Sequence, residues 1–84
     1  MRIPTPLRSY TANETYVDAD GATLSDLLHD LDCRHPGLRF RMIDEQDRLR
    51  THMNVFIAGE RCRDLSRSLA DVDEVVIMQA LSGG

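Results

Sequence analysis

The chain has 84 residues, 42% of them hydrophobic, with 14 acidic against 10 basic side chains and a formal charge of -4. That is one small domain, residues 1–84, with room for a hydrophobic core but not for an enclosed active site beside it, so a binding or carrier module is expected. The acidic balance argues against a nucleic-acid partner, because phosphate backbones are bound by Lys and Arg that displace counterions, and it favours a partner with a basic surface.

Ile3, Thr5 and Leu7 alternate with Arg2, Pro4, Pro6 and Arg8, a period of two that predicts a first strand with Ile3 and Leu7 facing inward. Pro4 and Pro6 each remove a ladder donor, so such a strand must be short or irregular there. Residues 9–14 are polar and read as a turn, after which residues 15–19 return as a second strand and complete a hairpin. Asp20-Gly21 closes it. Thr23 then precedes Leu24, Leu27, Leu28 and Leu31, the spacing of one helical face, and is placed to accept from the backbone near Asp26. Pro36-Gly37 stops this helix after Arg34 and His35.

Residues 38–42 read as a short helical turn, and residues 43–51 as an exposed polar loop in which charged side chains outnumber Ile43 and Leu49. A strand is predicted at 53–57, a turn at Ala58-Gly59, and a short returning arm through Cys62. Leu65 and Leu69, at i and i+4, suggest one more helical turn. Residues 75–80 form the closing strand, apolar on both faces at Val75 to Met78 and therefore inside the sheet. The expected fold is α+β: a mixed sheet of four to five strands on one main helix. Its expected core is Ile3, Leu7, Val17, Leu24, Leu27, Leu28, Leu31, Val55, Ile57, Leu65, Leu69, Val75 and Ile77. Residues 1–80 are the globular part and residues 81–84 a flexible tail.

All ten basic residues are arginine. Compositional bias is the ordinary cause, though a protein whose own carboxyl end is activated would also gain from lacking amine nucleophiles nearby. Cys33 and Cys62 are too few for a disulfide framework and form no C-x-x-C motif, so a reduced, cytoplasmic protein is expected. The N-terminal residues lack a long apolar run, and no segment approaches the roughly 18 apolar residues of a membrane helix, so neither export nor membrane spanning is expected.

The sequence resembles the β-grasp, ubiquitin-like sulfur carriers, whose members include the small subunit of molybdopterin synthase and carriers of thiamine and cysteine biosynthesis. The resemblance covers the whole chain. It rests on Ile3-Pro4-Thr5-Pro6-Leu7-Arg8, on Thr23-Leu24-Ser25-Asp26-Leu27-Leu28, on Asn54-Val55-Phe56-Ile57-Ala58-Gly59-Glu60, and above all on Ser82-Gly83-Gly84 following a strand. The length and long middle segment look more like the molybdopterin-synthase and cysteine-pathway members. Gln79-Ala80-Leu81 stands where many relatives carry a proline, which leaves the receiving pathway open.

The resemblance implies that an E1-like adenylyltransferase adenylates the Gly84 carboxylate with ATP and Mg²⁺, and that a sulfur donor (a rhodanese, a cysteine desulfurase or sulfide) converts it to a thiocarboxylate for an acceptor synthase. The chain would bind no cofactor itself and would be a co-substrate, not an enzyme. Leu81, Ser82 and Gly83 would form the arm that carries Gly84 into the partner, the four residues reaching roughly 13 Å at about 3.3 Å per extended residue. Glycine suits such an arm because, without a Cβ, it fits a narrow channel and accepts φ values barred to other residues. A frayed end is the bland alternative for the same glycines.

The period of two also assigns a second surface. With Val55, Ile57, Val75 and Ile77 facing the helix, Phe56, Val76 and Met78 face away and are the candidate docking patch, unless the segment from 38 to 51 covers them. A metal site combining His29, Cys33 and His35 with His52 or Cys62 can be imagined, but its spacing matches no common zinc motif. Cys62 lies between Arg61 and Arg63, whose charges would favour a thiolate, yet no His/Asp arrangement surrounds it. Two other functions stay open: a ubiquitin-like conjugation or interaction module using the same tail, and a regulatory dimerisation domain, which would leave Gly83-Gly84 unexplained.

Overall fold

The computed structural model describes residues 1–70, 72 and 74–79. Two helices and three strands follow one another: α1 (Leu24–Arg34), α2 (Leu38–Met42), β1 (Met53–Ile57), β2 (Glu60–Cys62) and β3 (Val75–Gln79), preceded by a 3₁₀ helix at Thr5–Thr11. The three strands form one antiparallel sheet in the order β2-β1-β3. Leu24, Leu27, Leu28 and Leu31 of α1 share one buried cluster with Met53, Val55 and Ile57 of β1 and Val75 and Ile77 of β3.

The N-terminal strand is much shorter than the alternation predicts. Arg2 makes a parallel bridge to Val76 and an antiparallel one to Tyr16, and at Pro4 the chain leaves the extended form for the 3₁₀ helix. The prolines explain this. Neither Pro4 nor Pro6 can donate to a ladder, whereas Pro6 sits in the first turn of the helix, where no N–H is required. Leu7 is buried as expected, but by the helix and not by strand alternation. Residues 15–19 likewise contribute a single bridge in place of a full strand. Among the described residues, the expected four or five strands are therefore three strands flanked by two one-residue rungs.

Those rungs still put β3 inside the sheet. Arg2 N–H donates to Val75 O at 3.0 Å and Ile77 N–H to Arg2 O at 3.1 Å, while Ile3 N–H reaches Thr15 O at 2.7 Å and Val17 N–H reaches Met1 O at 3.0 Å. Thr11, expected in a polar turn, is buried, and its hydroxyl donates to Glu14 O at 2.9 Å.

Helix α1 follows its sequence signals. Thr23 Oγ1 accepts from Asp26 N–H at 3.2 Å, and the helix ends at Arg34. The segment after β2 differs from expectation. It forms a turn and a bridge between Thr23 and Ser68 instead of a helical turn. Its carbonyls are taken by α1: Leu24 N–H donates to Arg67 O at 3.0 Å and Ser25 N–H to Leu65 O at 2.8 Å. These are two of the donors that a helix N-terminus leaves unpaired. A helix here would have turned the same carbonyls inward. Leu65 and Leu69 consequently pack on the core's margin, only partly buried.

The middle segment contributes more core than its charges suggest. Leu38, Met42, Ile43 and Leu49 are all buried, and Ile43 bridges Leu49, so the expected polar loop is exposed at 45–48 and at Thr51 but anchored in the core on either side of 44–48. Asp32, at the end of α1, accepts from the N–H groups of Gly37 and Arg39 and so caps α2. Arg63 closes the segment against β1, donating to Met53 O at 2.7 Å, Leu49 O at 2.9 Å and Arg50 O at 3.1 Å.

Candidate functional site

The site expected from the sequence has two parts, an arm and a docking face. The arm residues Leu81, Ser82, Gly83 and Gly84 lie outside the described residues. Its root is fixed by β3, which pairs with β1 along its length and with Arg2 on its other edge. β3 ends at Gln79, opposite Met53.

The face expected to dock a partner follows from strand parity. Val55 and Ile57 of β1 and Val75 and Ile77 of β3 are buried against α1, which turns Asn54, Phe56, Val76 and Met78 to the other side. Phe56 and Val76 are half-buried, whereas Met78 is 50% exposed, so the three expected residues share a face without being equally open. Of the middle segment's apolar groups, Leu38, Met42, Ile43 and Leu49 lie in the core with the α1 leucines.

Register extends this face into a row. Phe56 is paired with Arg61 on one side and with Val76 on the other; Val76 bridges Arg2, and Arg2 bridges Tyr16. Arg61, Phe56, Val76, Arg2 and Tyr16 thus stand side by side across the sheet, an apolar pair between two exposed arginines, with Tyr16 61% exposed at the end. Arg61 was within reach of the sequence: a two-residue turn at Ala58-Gly59 puts 57 opposite 60 and therefore 56 opposite 61. Positive φ values of 52° and 83° at these turn residues fit such a hairpin. Arg2 and Tyr16 depend on non-local pairing that no local pattern encodes.

The remaining candidates do not assemble. Among the described residues no three His, Cys, Asp or Glu side chains come close enough to hold a metal ion. Cys33 is an exposed free thiol. Cys62 Sγ lies 3.5 Å from Asp64 O, and the guanidinium of Arg63 is committed to three backbone carbonyls, so it is not free to pair with a thiolate. An open cavity of about 890 Å³ lies between Tyr10, Tyr16 and His35, but it shares no lining residue with the surroundings of Gln79.

The model of the ThiS family matches residues 1–84. This chain belongs to the ThiS family. Among curated proteins, the "Sulfur carrier protein CysO" of Mycobacterium tuberculosis is 33% identical over 89 residues, spanning 100% of this chain and 96% of that protein. "Small archaeal modifier protein 1" of Haloferax volcanii is 38% identical over 69 residues, 81% of this chain and 78% of that protein. Among solved structures, CysO in the Amycolatopsis orientalis BexX/CysO complex superposes with a TM-score of 0.90 at 35% identity, covering 99% of this chain and 96% of that one. Small archaeal modifier protein 1 of Haloferax volcanii gives 0.71 at 35% identity over 93% and 89%.

The ThiS-family chain therefore has the β-grasp fold that its sequence resembled, an α+β domain with a helix packed on a sheet, and its relatives are ubiquitin-like carriers and modifiers. One of them is seen in complex with a partner protein. No helix among the described residues is long and apolar enough to cross a membrane.

Proposed function

We propose that this chain is a sulfur carrier whose Gly84 carboxylate is the group that is activated and loaded. The observation that carries the reading is its similarity, over 100% of its length, to a protein named as a sulfur carrier. A carboxylate is a poor acyl donor because its leaving group would be oxide or hydroxide. Activation solves this. A Gly84 oxygen attacks the α-phosphorus of ATP, with Mg²⁺ on the phosphates, in an E1-like adenylyltransferase; pyrophosphate leaves and an acyl adenylate forms. Sulfide then adds to the acyl carbon and AMP departs, leaving the thiocarboxylate. A persulfide from a rhodanese or cysteine desulfurase reaches the same product through an acyl disulfide, whose S–S bond a thiol cleaves. An acceptor synthase takes the sulfur.

In this scheme the chain is a co-substrate and contributes position, not catalysis. The half-buried pair Phe56 and Val76, with Met78, docks the body on the partner, and Arg2 and Arg61 flank it. Two free thiols, Cys33 and Cys62, fit a reduced cytoplasmic setting. The test is intact-protein mass spectrometry after incubation with ATP, Mg²⁺, an adenylyltransferase and sulfide. Replacement of one oxygen by sulfur at Gly84 supports the proposal; an unchanged mass with an enzyme active on other carriers overturns it.

Similarity to a small archaeal modifier protein supports a second reading, conjugation of Gly84 to amines on other proteins. Isopeptide-linked adducts in the same incubation, supplemented with cell extract, would favour it. Having no lysine, this chain cannot build polymers on its own side chains.

A further inference from the structure

Beyond the sheet face, a second feature lies at the root of the arm. An open groove of about 390 Å³ is lined by Phe40, Arg41, Glu45, Arg50 and His52, together with the buried Leu7 and with Gln79. Phe40 is 60% exposed and lines the groove with its ring. Its ring is held in place: the Arg50 guanidinium carbon sits 4.9 Å from the ring centroid, and Arg50 Nε donates to Phe40 O at 3.0 Å. Arg41 and His52 are exposed and make no hydrogen bond or ion pair among the described residues. In a chain of charge -4, the groove gathers two arginines and a histidine against one glutamate.

We propose that this groove is a docking site for the protein that takes up the arm, and that this protein presents carboxylates beside the mouth of its channel. Two arguments fix the occupant. The first is continuity: Gln79 lines the groove, and Gly84 is five positions further along the chain, so the acyl carbon is within roughly 17 Å of the groove's edge. A protein that encloses Gly84 therefore lies within that reach of the groove. The second is charge complementarity, since a local cationic cluster beside a fixed aromatic ring matches acidic side chains around an apolar contact; Arg and Phe are favoured interface residues for these reasons. The groove is separate from the sheet row: it shares no residue with Arg61, Phe56, Val76, Arg2 and Tyr16. The body would thus be held from two sides of β3, which orients the arm as well as retaining it.

This inference rests on the sulfur-carrier reading, and its test separates the two. Pyrophosphate release is measured with the adenylyltransferase, ATP and Mg²⁺ for the wild type, Arg41→Glu, the pair Arg41→Glu/His52→Glu, and Phe40→Ala, at low and high salt. Arg67→Glu, outside both the groove and the row, matches the change in net charge of Arg41→Glu, and Arg67→Glu with Gln46→Glu matches that of the pair. The Arg41 and His52 side chains bond to nothing among the described residues, so their variants should melt with the wild type. The pair should raise KM about tenfold at low salt with kcat unchanged, and the gap should narrow as salt screens the contact, while the charge-matched controls stay near wild type. An activated wild type with unchanged variants overturns the groove and leaves the carrier reading standing. Equal losses in those controls also overturn it, as does a groove-dependent dimer of this chain in light scattering. No activation of the wild type overturns both.

Discussion

Phe56 on β1 stands directly opposite Val76 on β3, on the sheet face turned away from α1, while their neighbours Val55, Ile57, Val75 and Ile77 are buried on the other. The pair is half-buried without being part of the buried core. Truncation should therefore cost less than the roughly 3–5 kcal/mol of a fully buried aromatic, about 1–2 kcal/mol. A central aromatic in an interface costs more than that in binding, so Phe56→Ala should weaken adenylyltransferase binding at least about tenfold. Calorimetric titration beside a urea melt checks both. Strong unfolding with normal binding of the folded fraction would remove the docking role.

Gly21 packs against the first turn of α1 so closely that a Cβ built on it would lie 2.3 Å from Leu27 N and 2.7 Å from Asp26 C and Leu27 Cα. All three are backbone atoms, which cannot step aside as a flexible side chain can. Gly21→Ala must move the connection away from α1, at a cost of about 3 kcal/mol or more. Gly59 is the contrast: its φ of 83° is strained for alanine, but nothing lies within 4 Å of the added methyl. Gly59→Ala should cost about 1 kcal/mol. The order of the two urea midpoints is the test, and equal midpoints would contradict the packing argument.

Three aspartates hold exposed turns together by accepting hydrogen bonds, and each is held below the usual carboxylate value. Asp30 accepts from Asp20 N–H and then gains from the Arg34 guanidinium; Asp44 accepts from the N–H groups of Arg48 and Gln46; Asp64 accepts from the Ser66 hydroxyl and N–H. A pKa lower in the folded chain than in the unfolded one adds stability above the unfolded value, 3.8, and loses it as pH falls through the folded value. The melting temperature should accordingly drop as pH is lowered through and below 3.8. In Asp30→Asn/Asp44→Asn/Asp64→Asn the amide oxygens keep accepting but do not titrate, so the acid limb should flatten. An identical acid limb would mean that these bonds do not favour the ionised form.

What could be read from the sequence divides along the range of the interactions. Thr23 as cap, the leucine stripe of α1, the stop at Pro36-Gly37 and the hairpin through Ala58-Gly59 are all encoded within a few residues, and each stands in the structure. At the N-terminus the burial of Ile3 and Leu7 fits strand alternation and a 3₁₀ helix equally well, and Pro4 and Pro6, which demand a short or irregular strand, are the signal that separates them. Leu65 and Leu69 suggested a helix because their spacing is blind to α1, which takes the carbonyls of Leu65 and Arg67 from across the fold. The charges of residues 44–48 hid the buried Ile43 and Leu49 on either side of them. On the open face, parity placed Phe56, Val76 and Met78 together, but Arg2 and Tyr16 joined them only through pairing between distant segments.

Gly84 carries the chemical step in the proposed function, and its substitution separates folding from reaction. Gly84 comes five positions after the last residue of β3, so Gly84→Ala should leave the unfolding free energy within about 0.5 kcal/mol of wild type. In a channel narrow enough to exclude water from an acyl adenylate, however, a methyl group on the acyl-bearing carbon displaces the carboxylate from its line of attack on ATP. A misplacement of about 1 Å can cost on the order of a hundredfold in rate. Gly84→Ala should therefore bind the adenylyltransferase with nearly wild-type affinity through the body while releasing pyrophosphate some tenfold to a hundredfold more slowly. Wild-type rates of release would show that the channel tolerates a Cβ, and the steric argument for glycine at this position would fail even if the chain carries sulfur.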